Sequence, residues 1–540
     1  MCAPLNLEGA YHDELSQDKK SKGAQKRGGI KMASRDSCLL NNKVCKYCKD
    51  FYKDCRKNGM NEDDDACPNF NPTKMFFYDD ENHFVPAKLA DWISLALDGE
   101  KFITFPDTEE MFYWEGRGWR KEAKPRIKSI IRNFLMDSTS IHRLRETIEN
   151  IKINTFEKRE EISLPKKYVP LKNGLFNLET GDLEGHDSSF FYLHPFNIEF
   201  DKKAKCDKFL KFLSEVVDEK DVPLIQEIFG YLLIRSYPFQ KAFCFIGEGA
   251  NGKSTLINVL RDILGKENIS SVSLHDIATR TFSSGRLYQR YANLFPDLEQ
   301  KALNDTSLFK ILTGGDIIDA EIKYGGTFRY TNFAKLIFSA NRLPPVNHDD
   351  SMAFYRRWIM IIFPNQFTGE NENPFLLDEL TRKEEMAGIF NWMYEGYKRL
   401  MSTHKFSNSH SVAEIQEIYD RLSNPIKSFL MDIIAPDDLE EEVLADMREY
   451  KYMYSVTGIV PKDDFYKDYV KYCIKQNLPA KANNVFAREL LASTPKIEGG
   501  LASPWGERIR VWKGIKVIQK TEDRVREEEN KSRGLGTLEV

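Results

Sequence analysis

At 540 residues the chain is too long for one hydrophobic core, so about three domains are expected. Its 41% hydrophobic and 30% charged composition is that of a globular protein, and no run of 18 apolar residues exists to cross a membrane. A net charge of −4 argues against a passive nucleic-acid coat, which would be basic overall, but not against a motor whose cations line only a channel.

Residues 1–37 are polar and rich in Lys, Gly and Ser, and read as a disordered tail. No apolar segment follows their charges, so no secretory signal is expected and the protein is placed in a cytoplasm, beside a genome. Residues 38–72 hold five of the nine cysteines. An odd, clustered set without an export signal reads as reduced thiols plus a metal site. In Cys45-x2-Cys48-x6-Cys55-x11-Cys67, four thiols in a segment poor in apolar residues suit tetrahedral Zn²⁺. Cys38 is a spare that could compete, and free thiols in a disordered arm are the alternative.

Globular patterning starts near Phe84, and residues 84–206 read as a mixed N-terminal domain. Met111 to Trp119 looks like a hairpin with a Gly-containing turn, and Pro125–Phe156 like one charged helical stretch. Asn173-Gly174 between apolar residues signals a tight turn. Two helices are expected between 207 and 236, the second carrying Leu224, Ile228, Leu232 and Leu233 on one face. An apolar strand opens at Lys241, and strand-like segments near 291–295, 333–340 and 358–363 alternate with helices. That pattern predicts an α/β fold with a largely parallel sheet over 207–402. Glu379–Leu400 reads as a core helix. After a linker at about 403–411, residues 412–518 read as helices leading to a small basic domain, with Arg508 to Ile515 as a final strand pair. Residues 519–540 are charged and read as a second tail.

The strongest signal is Gly247-Glu248-Gly249-Ala250-Asn251-Gly252-Lys253-Ser254, of the form G-x-x-x-x-G-K-S, followed by Thr255. Glycines let backbone N–H groups curl around phosphate oxygens, the lysine reaches the β/γ-phosphates of ATP, and the serine hydroxyl ligates Mg²⁺. The apolar run Ala242–Ile246 precedes it and an amphipathic helix ended by Gly265 follows, as strand–loop–helix requires. Hydrolysis needs more: an acid for Mg²⁺ and water, a polar sensor of the γ-phosphate, and a cation for transition-state charge. Asp297 and Glu299 end one strand, Asn341 ends a better one, and Arg356-Arg357 stand before a third. Each alone could be an ordinary loop or surface residue; their order downstream of the loop carries the inference.

That order, with Leu312-Thr313-Gly314-Gly315-Asp316 between, resembles the superfamily 3 helicases, and within them the primase–helicases of phages, archaeal plasmids and poxviruses, over about residues 85–516. The resemblance implies an AAA+-type ATPase that assembles as a homohexameric ring and moves on single-stranded or forked DNA. It implies that Lys253 and Ser254 are the phosphate-loop pair, Asp297 the second-motif acid with Glu299 in reserve, and Asn341 the sensor. Arg357 is the favoured arginine finger, with Arg356 close behind. Ala320–Phe328 resembles the hairpin that projects into the ring channel, with Lys323 for phosphate and Tyr324 for base or sugar. The candidate sensor is expected to follow that hairpin on the same strand. Asn293 and Pro296 dilute the second-motif strand, which leaves the division of labour between Asp297 and Glu299 open.

The C-terminal part, with its helices and a basic hairpin, resembles a winged helix in which Lys481, Arg488, Arg508 or Arg510 could touch DNA. About 80 residues precede the resemblance, too few for a primase core, so a separate primase or replication protein is the expected partner. The expectation is an ATP-dependent DNA helicase of replication; the rival is a DNA-stimulated ring ATPase that loads, remodels or packages DNA without unwinding.

Overall fold

The computed structural model describes residues 77–79, 81, 83–95, 100–279, 281–321, 327–347, 351–369, 373–435, 450–476, 478–503 and 508–518. The expected tails, the Cys-rich segment with Cys45, Cys48, Cys55 and Cys67, and Lys323 and Tyr324 lie outside the described residues. The chain divides into two compact units, residues 1–202 with 319–329 and residues 203–318 with 330–540.

In the first unit, helix α1 (Pro86–Leu95) precedes a three-stranded antiparallel sheet, β1 (Phe102–Phe105), β2 (Glu110–Trp114) and β3 (Trp119–Arg120). The expected hairpin is β2–β3, with Gly116 at φ 87 in its turn. The charged stretch splits into two helices, α2 (Ala123–Leu135) and α3 (Ile141–Asn154), instead of one. Met136 leaves helical geometry at φ 44, and the Ser140 hydroxyl accepts from the Arg143 N–H to start the next helix. Leu89, Ile93, Ile127, Ile131 and Ile151 share one core across these helices. The strands β4 (Tyr168–Leu171) and β5 (Gly174–Asn177) pair with Leu171 opposite Gly174, so Lys172 and Asn173 make the tight turn; β6 (Leu183–Glu184) adds to β5.

The second unit opens with α4 (Asp207–Val216) and α5 (Val222–Tyr231). The chain leaves α5 at Tyr231, so Leu232 and Leu233 lie in the turn after it, not on its face. A five-stranded sheet follows, built from β7 (Ala242–Ile246), β8 (Ile269–Ser270), β9 (Ala292–Phe295), β12 (Lys335–Ala340) and β13 (Trp358–Ile362). Its order is β13-β7-β12-β9-β8 and it is parallel throughout. Strands such as Ala-Phe-Cys-Phe-Ile and Trp-Ile-Met-Ile-Ile are apolar at every position because helices cover both faces of such a sheet. Alternation sends Cys244, Leu336, Phe338 and Trp358 into one core with Phe309, Leu312 and Tyr419. It sends Phe243 to the other face, where its ring lies 6.0 Å from Tyr231.

Between the strands run α6 (Lys253–Leu264), α7 (Leu274–Thr279) and α8 (Ser307–Gly314). The strands β10 (Ile317–Glu321) and β11 (Thr327–Thr331), whose residues 319–329 count with the first unit, form a separate two-stranded sheet, and α9 (Met352–Tyr355) precedes β13. β11 ends before β12 begins and the two belong to different sheets, so the candidate sensor does not share a strand with the hairpin. Asn332 occupies the junction. The expected core helix is broken at Thr381–Arg382 into α10 (Leu376–Leu380) and α11 (Lys383–Thr403). The α11 helix crosses α5 backbone to backbone: a Cβ at Gly230 would overlap the Tyr397 N–H, and one at Gly396 the Gln226 carbonyl. Beside this crossing Glu227, fully buried, accepts from Arg399 Nε at 2.7 Å and from Ser407 N and Oγ at 2.7 Å each. A buried carboxylate so supplied with donors locks the two helices together.

The C-terminal part continues with α12 (Val412–Ser423), α13 (Pro425–Ile433), β14 (Ile434–Ala435), β15 (Tyr452–Pro461), α14 (Lys462–Lys475), α15 (Asn483–Ser493), β16 (Glu498–Ala502) and β17 (Ile509–Val517). Arg508 to Ile515 is not a strand pair: most of it is the single strand β17, which pairs antiparallel with both β15 and β16. Phe465, Tyr469, Tyr472 and Phe486 pack against Phe429 as a separate core.

Candidate functional site

Because β7, β12 and β9 are adjacent and parallel, the loops at their carboxyl ends converge. Gly247 follows β7, Asn341 follows β12 and Asp297 follows β9 by two residues. β7 sits where the chain's course reverses, its later partners lying on one side except β13, and such points form crevices at the carboxyl edge. The Gly247–Lys253 loop passes close to the end of β13. A Cβ at Gly247 would meet the Phe363 carbonyl at 2.7 Å, and Gly252 turns into α6 at φ +87 with Val216 only 2.5 Å from its Cβ position. Both positions therefore demand glycine. Ala250 also has positive φ, 57°, and its carbonyl accepts from Phe367 N at 2.7 Å.

The Lys253 ammonium points back into this loop. It donates to the Gly247 carbonyl at 2.5 Å, the Glu248 carbonyl at 3.0 Å, Asn251 Oδ1 at 2.9 Å and Asn341 Oδ1 at 3.4 Å. Burial pushes its pKa down, against the pull of Cys244, Asp297 and Glu248. The loop lysine thus reaches the strand-end asparagine and feels the charge of the strand-end acid, Asp297. Asn251 is buried and donates to the Phe363 carbonyl at 3.4 Å, which fixes the loop to β13. Ser254 is exposed and Thr255 half-buried at the start of α6. An exposed hydroxyl at Ser254, in the first turn of α6, and an exposed carboxylate at Asp297, in the loop after β9, are hard-oxygen donors of the kind that could hold Mg²⁺.

Asp297 and Glu299 part company. Asp297 feels Lys253, whereas Glu299 lines a cleft of about 320 Å³ with Ser273, His275, Asp276, Thr279, Phe295 and Lys301. Asn293, which looked like a flaw in the β9 strand, is a fully buried clip. Its Oδ1 accepts from Ser270 Oγ at 2.9 Å and Val272 N at 2.8 Å, and its Nδ2 donates to the Val272 carbonyl at 2.9 Å.

The arginine pair lies at the opposite edge. In the β13–β7 register Trp358 faces Ala242 and Ile362 faces Ile246, so Arg357 is level with Lys241, a strand's length of roughly 16 Å from the phosphate-type loop. Arg357, the favoured finger, is only 7% exposed, and its Nε donates to Thr313 Oγ1 at 3.0 Å and its Nη1 to the Ala353 carbonyl. Burial and the neighbouring Arg356 charge push its pKa down, while Asp316 opposes them. A guanidinium so enclosed cannot project outward. Arg356 is exposed, and its Nη2 makes a loose contact to Gln240 Oε1 at 3.4 Å.

Two further cations escaped the sequence. Arg342, next to Asn341, senses the charge of Glu248 in the loop and donates to the Gln476 carbonyl at 3.3 Å. Its adjacency to the candidate sensor was the available signal. Lys335, fully buried, donates to the carbonyls of Ile234 at 2.6 Å, Ser236 at 2.9 Å and Phe333 at 2.8 Å, and faces the Tyr231 and Tyr237 rings. In the C-terminal part, Lys481 is held in an ion pair with Glu489 at 2.6 Å.

Comparison with known proteins places this site in a family context. Residues 88–218 match the family described as D5 N terminal like, and residues 245–357 match a family of unknown function, DUF5906. A protein of Acanthamoeba polyphaga mimivirus, provisionally named a helicase, is 24% identical over 336 residues, covering 56% of this chain. The chain spans 35% of that relative's length. Two apo structures of the C-terminal region of NrS-1 are 16% and 17% identical, each covering 78% of this chain and 96% of that one at a TM-score of 0.39. No helix among the described residues is long and apolar enough to cross a membrane.

Proposed function

From the premise that this chain is of the phage and viral primase–helicase type, we propose that it is an ATP-dependent DNA helicase acting in the replication of a virus, plasmid or integrated mobile element. We assign it an AAA+-like P-loop core and a winged-helix-like C-terminal domain. The observation that supports this best is the meeting of Lys253, Asn341 and Asp297 at one edge of a parallel sheet. On this reading the loop's backbone N–H groups and the start of α6 cradle the phosphates of ATP. Lys253 moves its ammonium from the Gly247 and Glu248 carbonyls to the β/γ-phosphate oxygens. Ser254 and Asp297 are the residues that would hold Mg²⁺, which would supply charge neutralisation for phosphoryl transfer. Glu299 orients the attacking water, and Asn341 senses the γ-phosphate.

The finger role passes from Arg357 to Arg356. At the far edge of its own sheet, Arg356 reaches only a neighbouring subunit's nucleotide, which calls for a closed ring, a homohexamer. Lys323 and Tyr324 grip the strand from the hairpin tip. ATPase rate with and without single-stranded DNA, followed by strand displacement, tests this reading. Turnover without displacement would favour the rival loader or packaging ATPase. The zinc proposal has its own test: one Zn²⁺ per chain by elemental analysis, lost in Cys48→Ser with ATPase retained. A metal-free chain purified without chelator would overturn it.

A further inference from the structure

The Arg356–Arg357 corner is tied to the base of the β10–β11 hairpin by polar contacts, those of Arg357, Thr313 and Asn332 buried, that the reading above does not use. Helix α8 ends at Gly314, and Gly315, at φ +82, turns the chain toward β10. Three groups hold this helix end. Arg357 Nε donates to Thr313 Oγ1 at 3.0 Å, and that hydroxyl donates in turn to the Phe309 carbonyl at 2.8 Å. Asn332 Nδ2, one residue past β11, donates to the Leu312 carbonyl at 2.9 Å. Gln240 Nε2 donates to the Gly314 carbonyl at 3.4 Å while its Oε1 accepts from Arg356 at 3.4 Å. Both ends of the hairpin's base are therefore fastened to one helix terminus, and that terminus is fastened to the arginine corner.

Thr313 and Asn332 are 0% and 1% exposed. A buried donor or acceptor that loses its partner has no water to replace it, so these groups keep their partners and shift together. We propose that Arg357, Thr313, Asn332 and Gln240 are positioning residues. They pass the engagement of Arg356 with a neighbour's nucleotide to the base of the hairpin. This rests on the helicase reading and deepens it: one sheet edge hydrolyses, and the other reports a neighbour's state to the DNA-gripping element. Arg357 is then the joint behind the finger, and its burial is the condition of its work.

The test uses the full chain with Thr313→Val, which keeps shape and removes the acceptor, Thr313→Ser, which keeps it, and Gln240→Ala. Basal ATPase, ATPase with saturating single-stranded DNA, strand displacement and melting temperature are measured for each. In Thr313→Val basal turnover stays within about twofold, while stimulation by DNA falls about tenfold, the size of a typical coupling between two sites. Thr313→Ser restores the stimulation. Gln240→Ala, which orphans no fully buried group, lowers it in the same direction by a smaller factor. An equal fall in basal and stimulated rates, or a lowered melting temperature with an unchanged ratio, overturns the relay. If Thr313→Val does not fold, Gln240→Ala decides, and an unchanged ratio there overturns it. Wild-type chain with no DNA-stimulated turnover would instead sink the helicase reading, and the relay with it.

Discussion

Lys253 and Lys335 stand at opposite edges of the same parallel sheet, and both ammonium groups donate to backbone carbonyls. Burial pushes both pKa values below the ordinary range. Their acceptors differ in kind. Lys335 takes its three carbonyls from Ile234, Ser236 and Phe333, beside a tyrosine whose own hydroxyl is bonded on both sides, to the Ala334 carbonyl and from the Leu336 N–H, at 2.9 Å each. Lys253 takes two carbonyls from a loop with exposed neighbours and two side-chain oxygens, Asn251 and Asn341. On the proposed reading a phosphate outcompetes the second set, whereas the first set encloses a fully buried lysine away from it. The lesson is that a buried lysine is structural or functional according to whether its acceptors can be exchanged, not according to how many it has.

The comparison breaks if both lysines behave alike. Lys253→Ala should lower turnover at least about a hundredfold, the scale of losing one donor to a developing charge, with the melting temperature within a few degrees of wild type. Asp297→Asn should cost about as much through the metal, whereas Glu299→Gln should spare Mg²⁺-dependent nucleotide binding and lose turnover alone. Fluorescent-nucleotide titration separates the two, and equal loss of binding in both would merge their roles.

Smaller effects sharpen the contrast at the other edge. Arg356→Ala mixed with Lys253→Ala protomers should recover part of the turnover, because some interfaces then pair two intact halves. No recovery at any mixing ratio would remove the shared site. Lys335→Met should leave turnover per folded chain unchanged while lowering stability by about 2–4 kcal/mol, since three carbonyls lose their donor. Urea unfolding reads this directly, and unchanged stability would show that those carbonyls find other partners.

What was legible from the residues was whatever is local in the chain. The Ala242–Ile246 run, the Gly247–Ser254 loop and the α6 helix declare themselves because strand, loop and helix are contiguous. The same holds for the strands leading to Asp297 and Asn341, and their adjacency follows from a parallel sheet. What was not legible depends on partners far away. Asn293 reads as a flaw until Val272 is seen beside it. Arg357 reads as a finger until Thr313, 44 residues earlier, closes over it. The hairpin and the sensor read as one strand because nothing local marks Asn332 as a joint. The break between α2 and α3 was visible in principle, since Ser140 is a good cap, but the charged pattern runs through it.

The crossing of α5 and α11 at Gly230 and Gly396 has a mechanical consequence. Where side chains fill a helix interface they act as springs, taking up small displacements by changing rotamer. Here backbone rests on backbone, and Arg399 bolts the contact to a fully buried Glu227. The two helices are built to travel as one stiff strut, so on the proposed reading a stroke generated at the phosphate loop would be absorbed in the loops at the sheet's edges, where the hinges of such an engine would have to be sought.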